Sequence, residues 1–249
     1  MGETVFTTVG GKYLRKIIQC QICSHMISIE NILNDDIYES EYNKSTYADP
    51  EGMIRTFRKI IGLDKSDSDN YGRCNRVEAL INQVIGNEKN NSLKLLDVGS
   101  GLGIFPFEMN KRGFNITALD PDPESISHIS KQIMIPTICN EFDHAGIDKK
   151  YHFIFFNKVL EHVHDPVKML KKSLNILVDP GYVYFEVPDG EEAKKFGKDR
   201  EEFFIEHHHV FSFISSTLLA MHAGFIPIMV ERVVEPSTKY TLRVFCKKI

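Results

Sequence analysis

The sequence predicts an α/β protein whose sheet is mostly parallel, with helices between its strands and the last strand reversed. Three observations carry this. Strand-length apolar runs alternate with segments of helical spacing from Leu93 onward. The first run, Leu93 to Val98, ends in glycines on alternate positions, Gly99, Gly101 and Gly103, as a strand feeding a tight turn does. The last two runs, Phe225 to Val234 and Tyr240 to Cys246, are joined by Pro-Ser-Thr-Lys, a link too short for a parallel crossover, so they pair antiparallel.

In chain order, the first residues hold Cys20-x-x-Cys23 with His25 two positions on, inside an apolar, β-branched stretch. Two thiolates at this spacing are half of a tetrahedral zinc site. Cys74, Cys139 and Cys246 come singly, so metal-free cysteines are the expectation and zinc, with His25 or a distant ligand, the alternative. From Tyr38 to Asn70 the chain turns polar. Tyr38, Tyr42 and Tyr47 are read as packing residues, with a lid or acceptor wall as the competing role. Ile54, Phe57, Ile60 and Ile61 have helical spacing within Gly52 to Leu63, and Arg73, Val77, Leu80, Ile81 and Val84 form the next amphipathic helix. Arg73 and Arg76 are expected to be solvated rather than to hold a carboxylate or phosphate.

The glycine turn decides the ligand class. A dinucleotide fingerprint would place its third glycine at Ile104, and no Gly-Lys-Ser/Thr follows for a P-loop. What remains, Asp97-x-Gly99-Ser100-Gly101-x-Gly103, resembles the cofactor loop of the class I S-adenosylmethionine (AdoMet) methyltransferases. Asn115 to Leu119 is a second strand ending in Asp120, with Pro121 stopping the run. An acidic residue about 20 positions past such glycines accepts from ribose hydroxyls.

Ile104 to Lys111 is a short helix with Gly113 at its end, and Pro123 to Gln132 is the helix after strand two. Pro136 to Asn140 reads as strand three, with Glu141 and Phe142 at its carboxyl end, where Phe142 or its backbone is expected to edge an adenine. Strand four, Tyr151 to Phe156, is apolar without alternation, as in a sheet covered on both faces. Asn157-Lys-Val-Leu-Glu161-His162-Val-His164-Asp165-Pro166 follows, then an amphipathic helix, Pro180-Gly181 and a strand Tyr182 to Val187. This order looks like the second half of the same superfamily, especially its branch that modifies sugars and other small metabolites. Glu206, His207, Phe211 and Ser212 match the Glu-His-x-x-x-Phe-Ser segment that covers the acceptor site in that branch. Ser215 to Ala223 is a helix ended by Gly224.

The resemblance, over roughly residues 70 to 249, implies a Rossmann-like seven-stranded sheet and a division into an appendage or acceptor lid at 1–70 and an AdoMet-binding domain at 71–249. It implies cofactor contacts at Asp97, Gly99, Ser100, Gly101, Gly103, Asp120, Pro121, Glu141, Phe142 and Asn157. The first 70 residues match less well: sugar C-methyltransferases of the family often carry two Cys-x-x-Cys pairs there, and this chain has one.

A sugar hydroxyl is too weak an acid to ionise at neutral pH, so O-methylation benefits from a base within hydrogen-bond reach. His207, oriented by Glu206, is the first choice and His162 the second, with His208 and His209 less suited. Metal-dependent O-methyltransferases gather acidic ligands at strand ends. No such set is clear in the sequence, so no metal is expected.

The chain has 249 residues, 42% hydrophobic and 26% charged, which suits one α/β domain with an appendage. A net charge of −4 and a pI near 6.2, with no basic stripe, argue against nucleic acid as partner. No apolar run long enough to span a bilayer and no signal segment is evident, and five scattered cysteines suit a reducing compartment, so a cytoplasmic location without membrane attachment is expected. The expected activity is AdoMet-dependent methylation of a small molecule, foremost a hydroxyl of a nucleotide-linked or polysaccharide-precursor sugar; a homodimer is compatible. The alternatives are a catalytically inactive AdoMet-binding partner subunit and a methyltransferase of a phosphate-type acceptor, which needs no base.

Overall fold

The computed structural model describes residues 2–10, 13–32, 50–86 and 92–249. Tyr38, Tyr42 and Tyr47, read as packing or lid residues, lie outside the described residues.

The main sheet holds β4 (Lys94–Val98), β5 (Asn115–Asp120), β6 (Thr137–Cys139), β7 (Tyr151–Asn157), β8 (Leu177–Pro188), β10 (Phe225–Val234) and β11 (Tyr240–Lys248). Their order is β10-β11-β8-β7-β4-β5-β6. From β8 to β6 all neighbours are parallel, and β11 runs antiparallel to both β8 and β10. The predicted seven-stranded, mostly parallel sheet with its last strand reversed is therefore the fold. The missing alternation in strand four has its expected cause: Ile154 and Phe156 face one apolar cluster while Phe153 and Phe155 face the other.

The helices are α1 (Pro50–Ile61), α2 (Asp69–Ile85), α3 (Ile104–Lys111), α4 (Pro123–Gln132), α5 (Pro166–Lys172), a single turn α6 (Gly190–Ala193) and α7 (Phe213–His222). Local chemistry sets their starts. Ser68 accepts from Tyr71 N at the head of α2, and Asp122 accepts from the Glu124 and Ser125 amides with Pro123 in the first turn of α4. Ser212 and Ser215 cap α7 reciprocally, which is why it begins two residues before the predicted Ser215. β8 likewise begins at Leu177, ahead of the expected Tyr182. Among the described residues, no helix is long and apolar enough to cross a membrane.

A second sheet was not foreseen. β1 (Gly2–Gly10), β2 (Tyr13–Cys20) and β3 (Met26–Ile32) form an antiparallel meander, to which the two-residue β9 (His209–Val210) adds as a fourth strand. Met26 pairs with Val210 and Ile27 with His209, so this sheet is tied directly to the segment carrying the histidines. Helix α1 packs instead on the main body, where Phe57 is buried against Phe107 and His128.

At the turn after β4, Gly103 adopts φ +72° and a Cβ there would lie 2.6 Å from Ile133 Cδ1 and 2.8 Å from Ile129 Cγ1. Gly103→Ala is therefore expected to lower stability by about 1–3 kcal/mol, from left-handed strain and crowding. Chemical denaturation of the two proteins, with the midpoint shifting at constant slope, checks it.

Candidate active site

The carboxyl ends of β4, β5, β7 and β8 form one rim, where open parallel sheets bind ligands. The turn after β4 is held from below: the amides of Gly99 and Ser100 donate to Leu119 O at 2.8 and 3.1 Å. Asp120 Oδ2 accepts from Gly101 N at 2.8 Å and Oδ1 from Asp122 N at 2.9 Å, so this carboxylate shapes the loop. A Cβ on Gly99 would meet Val159 Cγ2 at 2.6 Å, whereas one on Gly101 would meet nothing within 4 Å. Gly101, at φ +50°, is thus the open face of the turn.

Beside it, Asn157 Nδ2 donates to Asp97 Oδ1 at 2.9 Å, and Ser100 Oγ donates to the Asp97 carbonyl at 3.0 Å. Burial pushes Asp97 up to about 7, against the hydrogen bonds that favour its charged form. Burial also raises Asp120. Among the described residues, Asn157 Oδ1 is buried without a hydrogen-bond partner, an acceptor left over at the tip of β7. Asp97, Asn157, Asp120 and the glycines thus lie together at this rim. Phe142 does not present its ring there. It is buried at 2% exposure and packs edge-on against Phe156 at 5.5 Å, because its neighbours on the inner face are apolar. Glu141 points outward and pairs with His144 at 2.8 Å. Pro121 contributes its carbonyl, which lies 3.9 Å from Cys139 Sγ.

Next to this rim is a cavity of about 380 Å³ with Lys158, Glu161, His162, Phe204, His207 and Tyr240 among its lining residues. His162 and His207 meet edge-on with ring centroids 4.8 Å apart. The predicted orientation of His207 by Glu206 needs correction. His207 Nδ1 lies 2.8 Å from the Glu202 carbonyl, while the Glu206 carbonyl lies 3.2 Å from His162 Nδ1. Glu206 thus serves the other histidine, and through its backbone carbonyl. Burial lowers His207 to about 4. His208 and His209 are backbone fasteners, donating their amides to the Glu161 carbonyl at 2.9 and 3.2 Å.

Glu161 completes the group. It is 1% exposed, its Oε2 has no hydrogen-bond partner among the described residues, and burial raises its pKa. Ligand-type atoms of Glu161, His162 and His207 lie within 4.8 Å of one another, a group that was not clear in the sequence: the carboxylate sits beside His162 in the chain and the fold brings His207 to both.

Further functional residues were missed. Arg15, on β2 and 6% exposed, donates to the carbonyls of Phe203, of Phe204 at 2.6 Å and of His207 at 3.2 Å, pinning the loop that carries His207. Glu202 is clamped by Arg200 at 2.9 and 3.0 Å and accepts from Tyr240 N at 2.7 Å. Lys158 takes φ +61° at the tip of β7 and donates to Thr241 Oγ1 at 2.7 Å. Arg73 is not solvated as expected, and Arg76, though still partly exposed, holds a carboxylate. Arg73 donates twice to buried Glu186, at 2.7 and 2.8 Å, and Arg76 twice to Glu231, at 2.8 and 2.9 Å. Helical spacing could not show this, because their partners lie on β8 and β10.

Cys20 and Cys23 are free thiols. His25 turns to Ser215 Oγ at 3.2 Å and His209 Nδ1 at 3.0 Å, so its ring nitrogens are engaged away from the cysteines.

A methyltransferase domain model matches residues 70–225. Curated relatives include the ubiquinone biosynthesis O-methyltransferases of Hydrogenovibrio crunogenus, 25% identical over 59% of this chain and 64% of that protein, and of Vibrio campbellii, 27% identical over 64% and 65%. The matched region thus spans less than two thirds of these relatives' length. Among solved structures, Burkholderia thailandensis 1,6-didemethyltoxoflavin-N1-methyltransferase, with its acceptor and S-adenosylhomocysteine bound, covers 97% of both chains at TM-score 0.57 and 12% identity. The magnesium protoporphyrin IX methyltransferase of Synechocystis PCC 6803, with S-adenosylhomocysteine bound, covers 84% of this chain and 97% of its own at TM-score 0.62 and 12% identity. At these identities the structures speak for the fold.

Proposed function

The chain belongs to the methyltransferase domain family, and from that premise we propose that it uses AdoMet to methylate a hydroxyl oxygen of a small molecule. One observation carries this reading: the open turn at Gly101 and the orphaned Asn157 Oδ1 lie at the carboxyl ends of the parallel strands, and Lys158, the next residue after Asn157, lines a cavity whose wall holds Glu161, His162 and His207. The residues fit the donor. Asp120 keeps acceptor capacity beyond its two amide bonds for ribose hydroxyls, Asn157 Oδ1 is free to accept from an ammonium, and the Phe142 backbone with Glu141 and Pro121 borders the adenine side. Bound there, AdoMet supplies an already activated methyl on sulfur.

The chain's task is then to hold the acceptor in line and to let its hydroxyl shed a proton. Phe204 and Tyr240 offer apolar faces to an acceptor, and Glu161, His162 and His207 face its hydroxyl. The meander of β1 to β3 acts as the acceptor-side appendage through its pairing with β9, whereas helix α1 packs on the main body. The acceptor is a nucleotide-linked or polysaccharide-precursor sugar, as the Glu206-His207 segment suggested, or a phenolic ring, which the relatives named for ubiquinone biosynthesis favour.

Calorimetric titration with AdoMet, S-adenosylhomocysteine and a nicotinamide dinucleotide tests the cofactor, and two acceptor panels, sugar and phenolic, scored by S-adenosylhomocysteine release, test the chemistry. Binding of the first two alone, with turnover on one panel, is the expected result. Failure to bind AdoMet sinks the reading, and binding without turnover on any acceptor leaves the inactive partner subunit.

Arg15→Met removes the donor that fixes the Phe203 to His207 carbonyls. It is expected to reduce kcat/KM by up to about 10²-fold through misplacement of the loop, while AdoMet affinity, measured by the same titration, stays within error.

A further inference from the structure

The geometry points to Glu161, His162 and His207 as the ligands of one divalent first-row transition ion, with an open position toward the cavity that takes the acceptor's oxygen. The metal half stands on side-chain placement alone; the acceptor half rests on the methyl-transfer reading.

Four features support it. First, the tautomers are fixed. A carbonyl only accepts, so His207 Nδ1, 2.8 Å from Glu202 O, and His162 Nδ1, 3.2 Å from Glu206 O, must each carry the hydrogen. Both rings therefore keep the Nε2 lone pair, and a backbone carbonyl behind each imidazole is the arrangement that orients metal-bound histidines.

Second, Glu161 is 1% exposed and its Oε2 finds no partner. Leaving a buried carboxylate oxygen unpaired costs about 1–3 kcal/mol or more. Lys158 is near enough to act on this carboxylate as a charge, but its Nζ donates to Thr241 Oγ1 at 2.7 Å and, among the described residues, no hydrogen bond reaches Oε2. A metal ion would satisfy this oxygen and both lone pairs at once.

Third, one ligand-type atom from each of the three residues already lies within 4.8 Å of the other two. An ion with bonds of about 2.1 Å spaces tetrahedral ligands about 3.4 Å apart, which small side-chain rotations reach. Two imidazole nitrogens with one carboxylate oxygen suit zinc, iron, cobalt or manganese rather than the all-oxygen shells of calcium and magnesium.

Fourth, three protein ligands leave coordination sites open, and here they open onto a cavity of about 380 Å³. An acceptor hydroxyl bound to the ion becomes more acidic: its O–H bond breaks, the proton passes to bulk water, and the oxygen stays on the ion as an oxyanion. That would answer why neither histidine has a carboxylate behind it to stabilise an imidazolium.

The test uses the full chain, stripped with chelator and titrated with Co²⁺, read by visible d–d absorption and by metal analysis. The expected result is one Co²⁺ per chain without a thiolate charge-transfer band. Glu161→Gln, His162→Ala and His207→Ala should each weaken uptake by at least about 10-fold, as even outer-shell changes do. Circular dichroism confirms their folding, and the near-isosteric Glu161→Gln carries the test if a histidine variant does not fold. Absence of stoichiometric uptake, uptake indifferent to these changes, or uptake lost only in the Cys20→Ser/Cys23→Ser variant overturns the site. Addition of the turned-over acceptor should shift the cobalt spectrum, and an unshifted spectrum overturns the acceptor half. AdoMet titration of the same sample keeps the two readings apart: cofactor binding without metal uptake sinks the metal site alone, and metal uptake without cofactor binding sinks only the methyl-transfer reading and the acceptor half with it.

Discussion

His207→Ala should cut kcat by about 10²- to 10⁴-fold, the range associated with losing positioned proton handling, while AdoMet affinity changes little. The asymmetry follows from position. On the proposed reading, cofactor-side contacts fall to Asp97, Asn157, Asp120 and the turn at Gly101, whereas His207 lines a separate cavity with its Nδ1 tied to the Glu202 carbonyl at 2.8 Å. Its loss removes an Nε2 at the acceptor without touching the rim. Glu206→Gln should cost far less, because Glu206 contributes its backbone carbonyl to His162 and that atom survives the change. Single-turnover rates with the acceptor found by screening, set beside calorimetric AdoMet titrations, check both. Wild-type turnover in His207→Ala would remove this histidine from the chemistry.

The turn after β4 and the carboxylates beside it were legible because their geometry is local. Glycines on alternate positions after a strand, and an acid at the tip of the next, are fixed by backbone conformation, so spacing alone places Asp97, Gly101 and Asp120. The acceptor half was only partly legible. His162 and His207 could be named from sequence, but their partners are backbone carbonyls, and a carbonyl is carried by every residue, so no residue type announces it. Glu161 stood in plain view beside His162, yet its burial depends on the β9 segment closing over it through the amides of His208 and His209. Arg15 and the meander were illegible for a related reason. Their function lies in contacts almost 190 positions along the chain, and no local pattern records them. The Phe142 ring went to the core because an apolar side chain at a strand end follows the larger buried surface rather than the ligand edge.

Glu186→Gln should destabilise the fold by about 3–5 kcal/mol, the cost of removing one member of a buried ion group and leaving its partners charged. Glu186 is fully buried on β8. It receives two hydrogen bonds from Arg73, at 2.7 and 2.8 Å, and one from Tyr184 Oη at 2.6 Å. Arg243 Nε lies 3.0 Å away as a charge partner, and Arg243 reaches on to Glu235 at 3.0 Å. Without the shared anion, Arg73 and Arg243 face each other across a dry space. The acid limb of stability carries the same signature. Burial alone would raise Glu186, but the Arg73 and Arg243 charges outweigh it and hold the carboxyl at about 2, below its ordinary 4.5. A carboxyl that binds fewer protons when folded contributes fully above its unfolded pKa and loses that contribution as pH falls from 4.5 toward about 2. Asp97, raised by burial to about 7 from 3.8, acts in the opposite sense: its folded form holds the proton longer, so stability declines as pH rises from 3.8 to about 7. Denaturant midpoints across these two windows separate the groups. Glu186→Gln should flatten the lower limb and leave the upper one, and Asp97→Asn should flatten the upper limb and leave the lower.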